Sequence, residues 1–145
     1  NWEIIPITNL NASSTLKEGN IEYTVDNISS LALHKPWVEG VKGNGVDEYF
    51  QFNKSDASGF YMLNGFVSFS RPDLFEKNNR VEKVSISGLS SKKTVDVVLN
   101  DTAKPQYIDL SEFKDDEIIR ITIKSVYNGS KYNDTCVSGI MLVKF

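Results

Sequence analysis

The sequence predicts an all-β domain built as an antiparallel sandwich or barrel, and three observations carry that prediction. Apolar residues recur with period two in short runs, turn-forming residues separate those runs, and no long amphipathic helix is legible. Many short strands joined by polar turns, with no helical interludes, give a closed or two-layer antiparallel sheet.

The elements follow in chain order. Residues 46–52 alternate, with Val46, Phe50 and Phe52 on one parity, so that stretch reads as a core strand. Residues 60–69 read as two short strands around Asn64-Gly65, a pair that favours a turn or a bulge. Residues 81–87, 94–99, 106–110 and 137–143 are further strands. Ile119, Ile121 and Ile123 alternate with Arg120, Thr122 and Lys124, the pattern of a half-buried strand. Lys42-Gly43-Asn44-Gly45, Ser58-Gly59, Arg71-Pro72-Asp73, Asn78-Asn79, Asn100-Asp101 and Asn128-Gly129 supply the turns. With no linker, repeat or low-complexity tract between them, residues 1–145 form one domain.

Composition excludes several function classes. A chain of 145 residues with 40% hydrophobic and 24% charged residues is ordinary globular material. Its net charge of −3 lacks the clustered Lys and Arg of a nucleic-acid footprint. No apolar run is long enough for a membrane span, so no membrane insertion is expected, and no signal peptide is visible. Cys136 is the sole cysteine, which rules out an intrachain disulfide. One His, His34, and one Cys give too few parts for a Cys-His nucleophile or a His-ligated zinc site. A two-carboxylate glycosidase would need a sealed pocket with both acids within about 10 Å, and no pair stands out.

Several residues, taken in order, resemble a specific family. Ala12-Ser13-Ser14-Thr15-Leu16 precedes Tyr23 and Asn27, followed by Trp37-Val38-Glu39-Gly40-Val41, Gly43, Gly45 and Glu48-Tyr49. Asn64-Gly65-Phe66, Asn78-Asn79-Arg80-Val81 and Leu99-x-Asp101 follow, then Tyr127-x-Gly129-x-Lys131-Tyr132-x-Asp134-Thr135. This order resembles the NADase-type glycan-binding domain, a branch of the discoidin-like, galactose-binding-like superfamily. The resemblance covers nearly the whole chain. It implies a jelly-roll sandwich with its chain ends close together, and a non-catalytic glycan-binding module of a secreted, periplasmic or surface bacterial protein. It also implies sugar held by loops at one end, with other domains of a longer parent protein as neighbours. A structural or protein-interaction domain that has lost the sugar site is the alternative reading, and it predicts an exposed apolar patch elsewhere.

Two departures from the pattern bear on the site. Related modules carry an Asp-Gly pair before the Trp, in a loop that can hold a structural calcium; here the stretch contains Ser29-Ser30, and Asp26 is the nearby acid. A hard cation wants several oxygen ligands, so neither this metal nor any cofactor is expected. Family-like sequences also read Ser-Glu-Ile where this chain has Ser138-Gly139-Ile140.

The candidate ligand-binding residues are Trp37, Glu39, Asn64, Phe66, Arg80, Tyr132 and Asp134. Trp37 either stacks on a sugar face or plugs the sandwich end, and the usual burial of large aromatics favours the plug. Glu39 accepts hydrogen bonds either from sugar hydroxyls or from the glycine-rich loop. Asn64 offers an amide suited to a vicinal diol, or else satisfies a bulge. Arg80 forks onto hydroxyls or onto a carboxylate, with Glu48 or Asp134 as expected partners. Glu48 shares the parity of Val46 and Phe50 and needs a partner, with Arg80 or Lys131 in reach. Tyr127, Tyr132 and Asp134 surround a loop, where ligand contacts concentrate.

Overall fold

The computed structural model describes residues 1–31 and 33–145. In chain order the elements are β1 (Glu3–Ile5), β2 (Asn11–Ala12), β3 (Lys17–Glu18), β4 (Ile21–Glu22), α1 (Asn27–Ser30), β5 (Trp37–Val38) and β6 (Tyr49–Asn53). There follow β7 (Gly59–Asn64), α2 (Leu74–Lys77), β8 (Arg80–Gly88), β9 (Thr94–Val98), β10 (Gln106–Asp109), a 3-10 turn (Ser111–Phe113), β11 (Ile118–Tyr127) and β12 (Cys136–Lys144). One sheet runs β1-β12-β7-β10, with β5 also paired to β12, a second runs β2-β6-β11-β8-β9, and β3 and β4 pair as a separate two-stranded hairpin. Every strand pair in them is antiparallel. Pairing of Glu3 with Lys144 brings the two ends of the chain together.

The alternation read from the sequence is what closes the sandwich. Ile119, Ile121 and Ile123 bury their side chains, as do Phe50 and Phe52 on β6 and Phe60 and Met62 on β7. An aromatic ladder crosses between the sheets: Trp37 meets Phe50 edge-on at 5.7 Å, Phe50 stacks on Phe52, and Phe52 meets Phe60 edge-on at 5.6 Å. Such offset and edge contacts add to area burial because ring edges are electropositive and ring faces electronegative.

Three sequence expectations need correction. The strand predicted over residues 46–52 begins only at Tyr49, because Gly45 and Asp47 both take positive φ and turn the chain there. Val46 is consequently exposed, and Asp47 and Glu48 lie ahead of the strand and not on its two faces. Asp47 pairs with Lys124, and Glu48 accepts from Ser13 Oγ at 3.0 Å, not from Arg80 or Lys131. The second strand expected after Asn64 does not form. Gly65 turns the chain at φ +76°, and Val67 spends its N–H on Ser138 Oγ at 2.8 Å. The backbone there is held by a side chain where a ladder was expected.

The stretch compared with calcium-holding loops forms α1 and the turn after it; Ala32, within it, lies outside the described residues. Among the described residues no group of three or more His, Cys, Asp or Glu side chains is placed to hold a metal ion.

Candidate carbohydrate site

The residues around Trp37 form a hub that binds three loops to the last strand. Trp37 is fully buried and donates its indole N–H to Ser14 O at 2.9 Å. It therefore plugs the sandwich end and presents no ring face to a ligand. On either side of it, Leu16 N donates to Val38 O at 2.8 Å and Val38 N to Tyr23 O at 3.1 Å. These bonds draw the segments around Leu16 and Tyr23 over the end of the sandwich.

Glu39 is fully buried as well, and is not directed at a ligand. Its Oε2 accepts from Thr135 N at 2.7 Å, while Thr135 Oγ1 donates to Asn44 O at 2.6 Å. The loop after Trp37 and the loop leading into β12 thus lie side by side. A carboxyl without water around it favours its neutral form, and burial pushes Glu39 up to about 8. The charges of Asp134 and Glu48 add to that rise, and the Thr135 hydrogen bond opposes it. Gly45 packs on this carboxyl so closely that a Cβ would stand 2.2 Å from Glu39 Cγ, and its φ of +79° also suits glycine.

Two further candidates turn out to hold the framework of the site. Asn64, fully buried, donates to Val81 O at 2.7 Å and accepts from Val81 N at 2.8 Å, filling the gap left by the turn at Gly65. Arg80 forks onto Asp101, not Glu48 or Asp134, with Nε and Nη2 each 2.9 Å from the two carboxylate oxygens. Its Nη1 reaches the carbonyls of Glu76, Asn78 and Asn128, so one side chain staples α2, the turn after it and the loop beginning at Asn128. All of these groups are internally engaged, which explains why none reaches the surface.

Asn79 completes the frame. Its Nδ2 donates to Asn133 O at 2.9 Å and its Oδ1 accepts from Gly129 N at 2.7 Å. Tyr127 belongs to the same frame, since its hydroxyl donates to Leu99 O at 2.7 Å.

What this frame supports is a recess of about 250 Å³ at the loop end of the sandwich. Three sequence candidates line it: Phe66, Tyr132 and Asp134. Leu16, Glu18, Tyr23, Val38, Leu74, Asn78 and Cys136 complete its walls. Sequence reasoning missed Glu18 and Tyr23 as lining residues: Glu18 lies in a short hairpin without a motif, and Tyr23, though part of the family pattern, is brought to the recess by the docking of its segment on Val38. Asp134 is half-buried, and among the described residues its carboxylate has no hydrogen-bond or salt-bridge partner. Burial holds it above the ordinary carboxylate range. The Tyr23 phenol is also raised, by burial first and then by Glu18, Cys136 and Asp134. Cys136 is a fully buried thiol whose burial pushes it well above its usual value, so it forms an inert part of the wall. His34 is exposed.

A second, larger cavity of about 570 Å³ lies on the outer face of the β1-β12-β7-β10 sheet. Trp2, Leu31, Tyr61, Leu63, Met141 and Phe145 are among its lining residues. Gly139 faces it too, and a Cβ there would meet Leu31 Cδ2 at 2.8 Å. The acid found at this position in family-like sequences would stand against apolar groups here.

The sequence profile of the NAD glycohydrolase translocation F5/8 type C domain matches residues 4–143. The chain belongs to that family. Solved structures share the architecture of this F5/8 type C domain. The family 32 carbohydrate-binding module of NanJ from C. perfringens, solved in complex with galactose, superposes with a TM-score of 0.65 at 14% identity, covering 99% of this chain and 100% of that one. An F5/8 type C domain from Bacteroides fragilis gives 0.65 at 12% identity, over 99% and 97% of the two chains. The CBM32 of AlyQ, solved with 4,5-unsaturated mannuronic acid, gives 0.58 at 14% identity over 97% of each. At these identities the likeness is one of fold. No curated protein matches the chain by sequence.

Proposed function

We propose that this F5/8 type C domain is a non-catalytic carbohydrate-binding module of a secreted or surface-exposed protein, taking one sugar ring in the recess beside Asp134. The observation that carries this reading is an unpartnered, half-buried carboxylate set among aromatic rings in a recess at the loop end. A carboxylate accepts hydrogen bonds from two sugar hydroxyls, and the apolar face of a pyranose packs on a Tyr or Phe ring. The volume falls below the roughly 300–1,000 Å³ of drug-sized ligand sites, which suits a single ring or the end of a chain. The NanJ module, of the same fold, holds galactose, and the AlyQ module holds an unsaturated uronic acid.

Weak affinity per site is expected, because sugar hydroxyls exchange bonds to water for bonds to protein at little net gain. Tethering to other domains or to several sites would raise the apparent affinity. A glycan array followed by calorimetric titration tests the reading, with chromogenic glycosides added in parallel. Binding without hydrolysis supports it. No binding to any sugar removes it, and release of the chromophore would make Glu18 and Asp134 an acid pair and the domain an enzyme.

One observation favours a second reading, a protein-interaction domain. The apolar cavity on the outer sheet face is lined by Trp2 and Phe145, both exposed large hydrophobics of the kind a partner surface covers. Sugar binding that survives charge substitution on this face would separate the two readings.

A further inference from the structure

We infer that the recess selects sugars bearing a positive charge, amino sugars of the 2-amino-2-deoxyhexose class, over neutral, N-acetylated or acidic ones. This rests on the carbohydrate reading above and specifies its substrate class.

The charge distribution is the first argument. The carboxylic acids in the wall are Glu18 and Asp134, and among the described residues no Lys, Arg or His lines the recess. Four basic side chains of the surrounding elements are engaged elsewhere. Arg71 and Lys77 both bind Asp73, Arg80 is forked onto Asp101, and Lys17 pairs with Glu22. Lys131 is the exception: its Nζ lies over the Tyr132 ring, 5.3 Å from the centroid, so a bound ammonium shares that ring with it or displaces it. Glu39 lies behind the wall with its Oε2 on Thr135 N, and Cys136 is a buried thiol, so neither contributes a cation. An acidic sugar entering here would bring its carboxylate against two others.

The aromatic lining is the second argument. Tyr23, Phe66 and Tyr132 line the same small recess as Asp134. Ring faces carry negative electrostatic potential and attract ammonium groups, more strongly where water is thinned out. A carboxylate lacking an internal partner, set among three rings, is the environment an organic ammonium satisfies in both respects. The Tyr23 phenol responds to the same field, since Glu18 and Asp134 add to the rise that burial causes. A bare metal ion fits less well, for no group of three or more acidic, His or Cys side chains converges among the described residues.

The test is calorimetric titration of the domain at about pH 6, where sugar amines are charged, with glucosamine and galactosamine, their N-acetyl derivatives, galactose and glucuronic acid. The expected result is at least tenfold tighter binding of an amino sugar than of its N-acetyl form. That advantage should shrink with added salt, as a partly exposed ion pair requires. It should also vanish in Asp134→Asn, whose folding is checked by an unchanged melting temperature. In the wild-type domain, acidification that neutralises Asp134 should weaken amino-sugar binding, with Glu18, Tyr23, Tyr132 and Lys131 the other titratable groups facing the site. Equal or tighter binding of galactose or an N-acetyl sugar, still sensitive to Tyr132→Ala, would overturn charge selection and leave carbohydrate binding standing. Failure of every sugar to bind would overturn both.

Discussion

Thr135 donates its backbone N–H to Glu39 Oε2 at 2.7 Å, and this bond ties the loop that follows Trp37 to the start of the last strand. The other carboxyl oxygen, Oε1, is buried without a hydrogen-bond partner among the described residues. A fully ionised carboxylate in that position would be poorly solvated, which is why the acid stays neutral to unusually high pH.

Glu39 should therefore make stability fall with alkalinity. Its folded-state value of about 8 lies above the ordinary 4.5, so the folded state holds the proton more tightly. The stabilisation is complete below about pH 4.5 and is lost as pH rises through about 8. The slope within that window approaches about 1.4 kcal/mol per pH unit. Urea unfolding of the wild type and Glu39→Gln between these limits tests this. The variant should lose the slope, remain close to wild type near the acid end, and exceed it at alkaline pH. Parallel curves would refute the assignment.

Asn64 replaces a missing stretch of sheet with one side chain. Asn64→Leu keeps the volume but strips both partners from the Val81 backbone, leaving a buried N–H and C=O unpaired. A loss of about 2–4 kcal/mol is expected, from two unsatisfied buried groups. The melting temperature should drop well below that of the wild type; a change of only a degree or two would mean that water or another group takes over.

Trp37 and Tyr132 should separate stability from binding. Trp37→Ala removes the fully buried plug, with an expected cost of about 3–5 kcal/mol. Tyr132→Ala, at a position 41% exposed, should leave the melting temperature nearly unchanged while weakening sugar binding roughly tenfold or more. Thermal melts and titrations on both variants measure this, and the reverse pattern would show that the recess is not the binding site.

Gly45→Ala should damage the loop for two reasons at once. The added Cβ would collide with Glu39, and φ of +79° is costly for any residue with a side chain. We expect about 2–4 kcal/mol of destabilisation. Amide exchange across residues 40–48 and 133–136 should accelerate together, because Glu39 and Thr135 join the two segments; acceleration confined to the first would show that the coupling is absent.

The strands around Ile119, Ile121 and Ile123 were legible because a sheet with one buried face repeats every two residues along a single chain segment. The start of β6 was not, since the turn at Asp47 is held by Lys124, 77 residues away in sequence. The same limit applies to the site. Tyr132 and Asp134 were identifiable as aromatic and polar residues around a loop, whereas Phe66 was read within a strand, and Tyr23 and Glu18 line the recess through the docking that the Val38 N–Tyr23 O bond helps to hold.

By itself, then, the sequence determined the fold class and the family, because alternation, turn residues and motif order are local properties of the chain. Only the tertiary structure decided which polar residues are spent internally. Glu39, Asn64 and Arg80 each meet a partner 17 or more residues away, whereas the Asp134 carboxylate has no such partner among the described residues. Whether a polar side chain is a strut or a ligand contact depends on what stands across from it, and that is a long-range property of the folded chain.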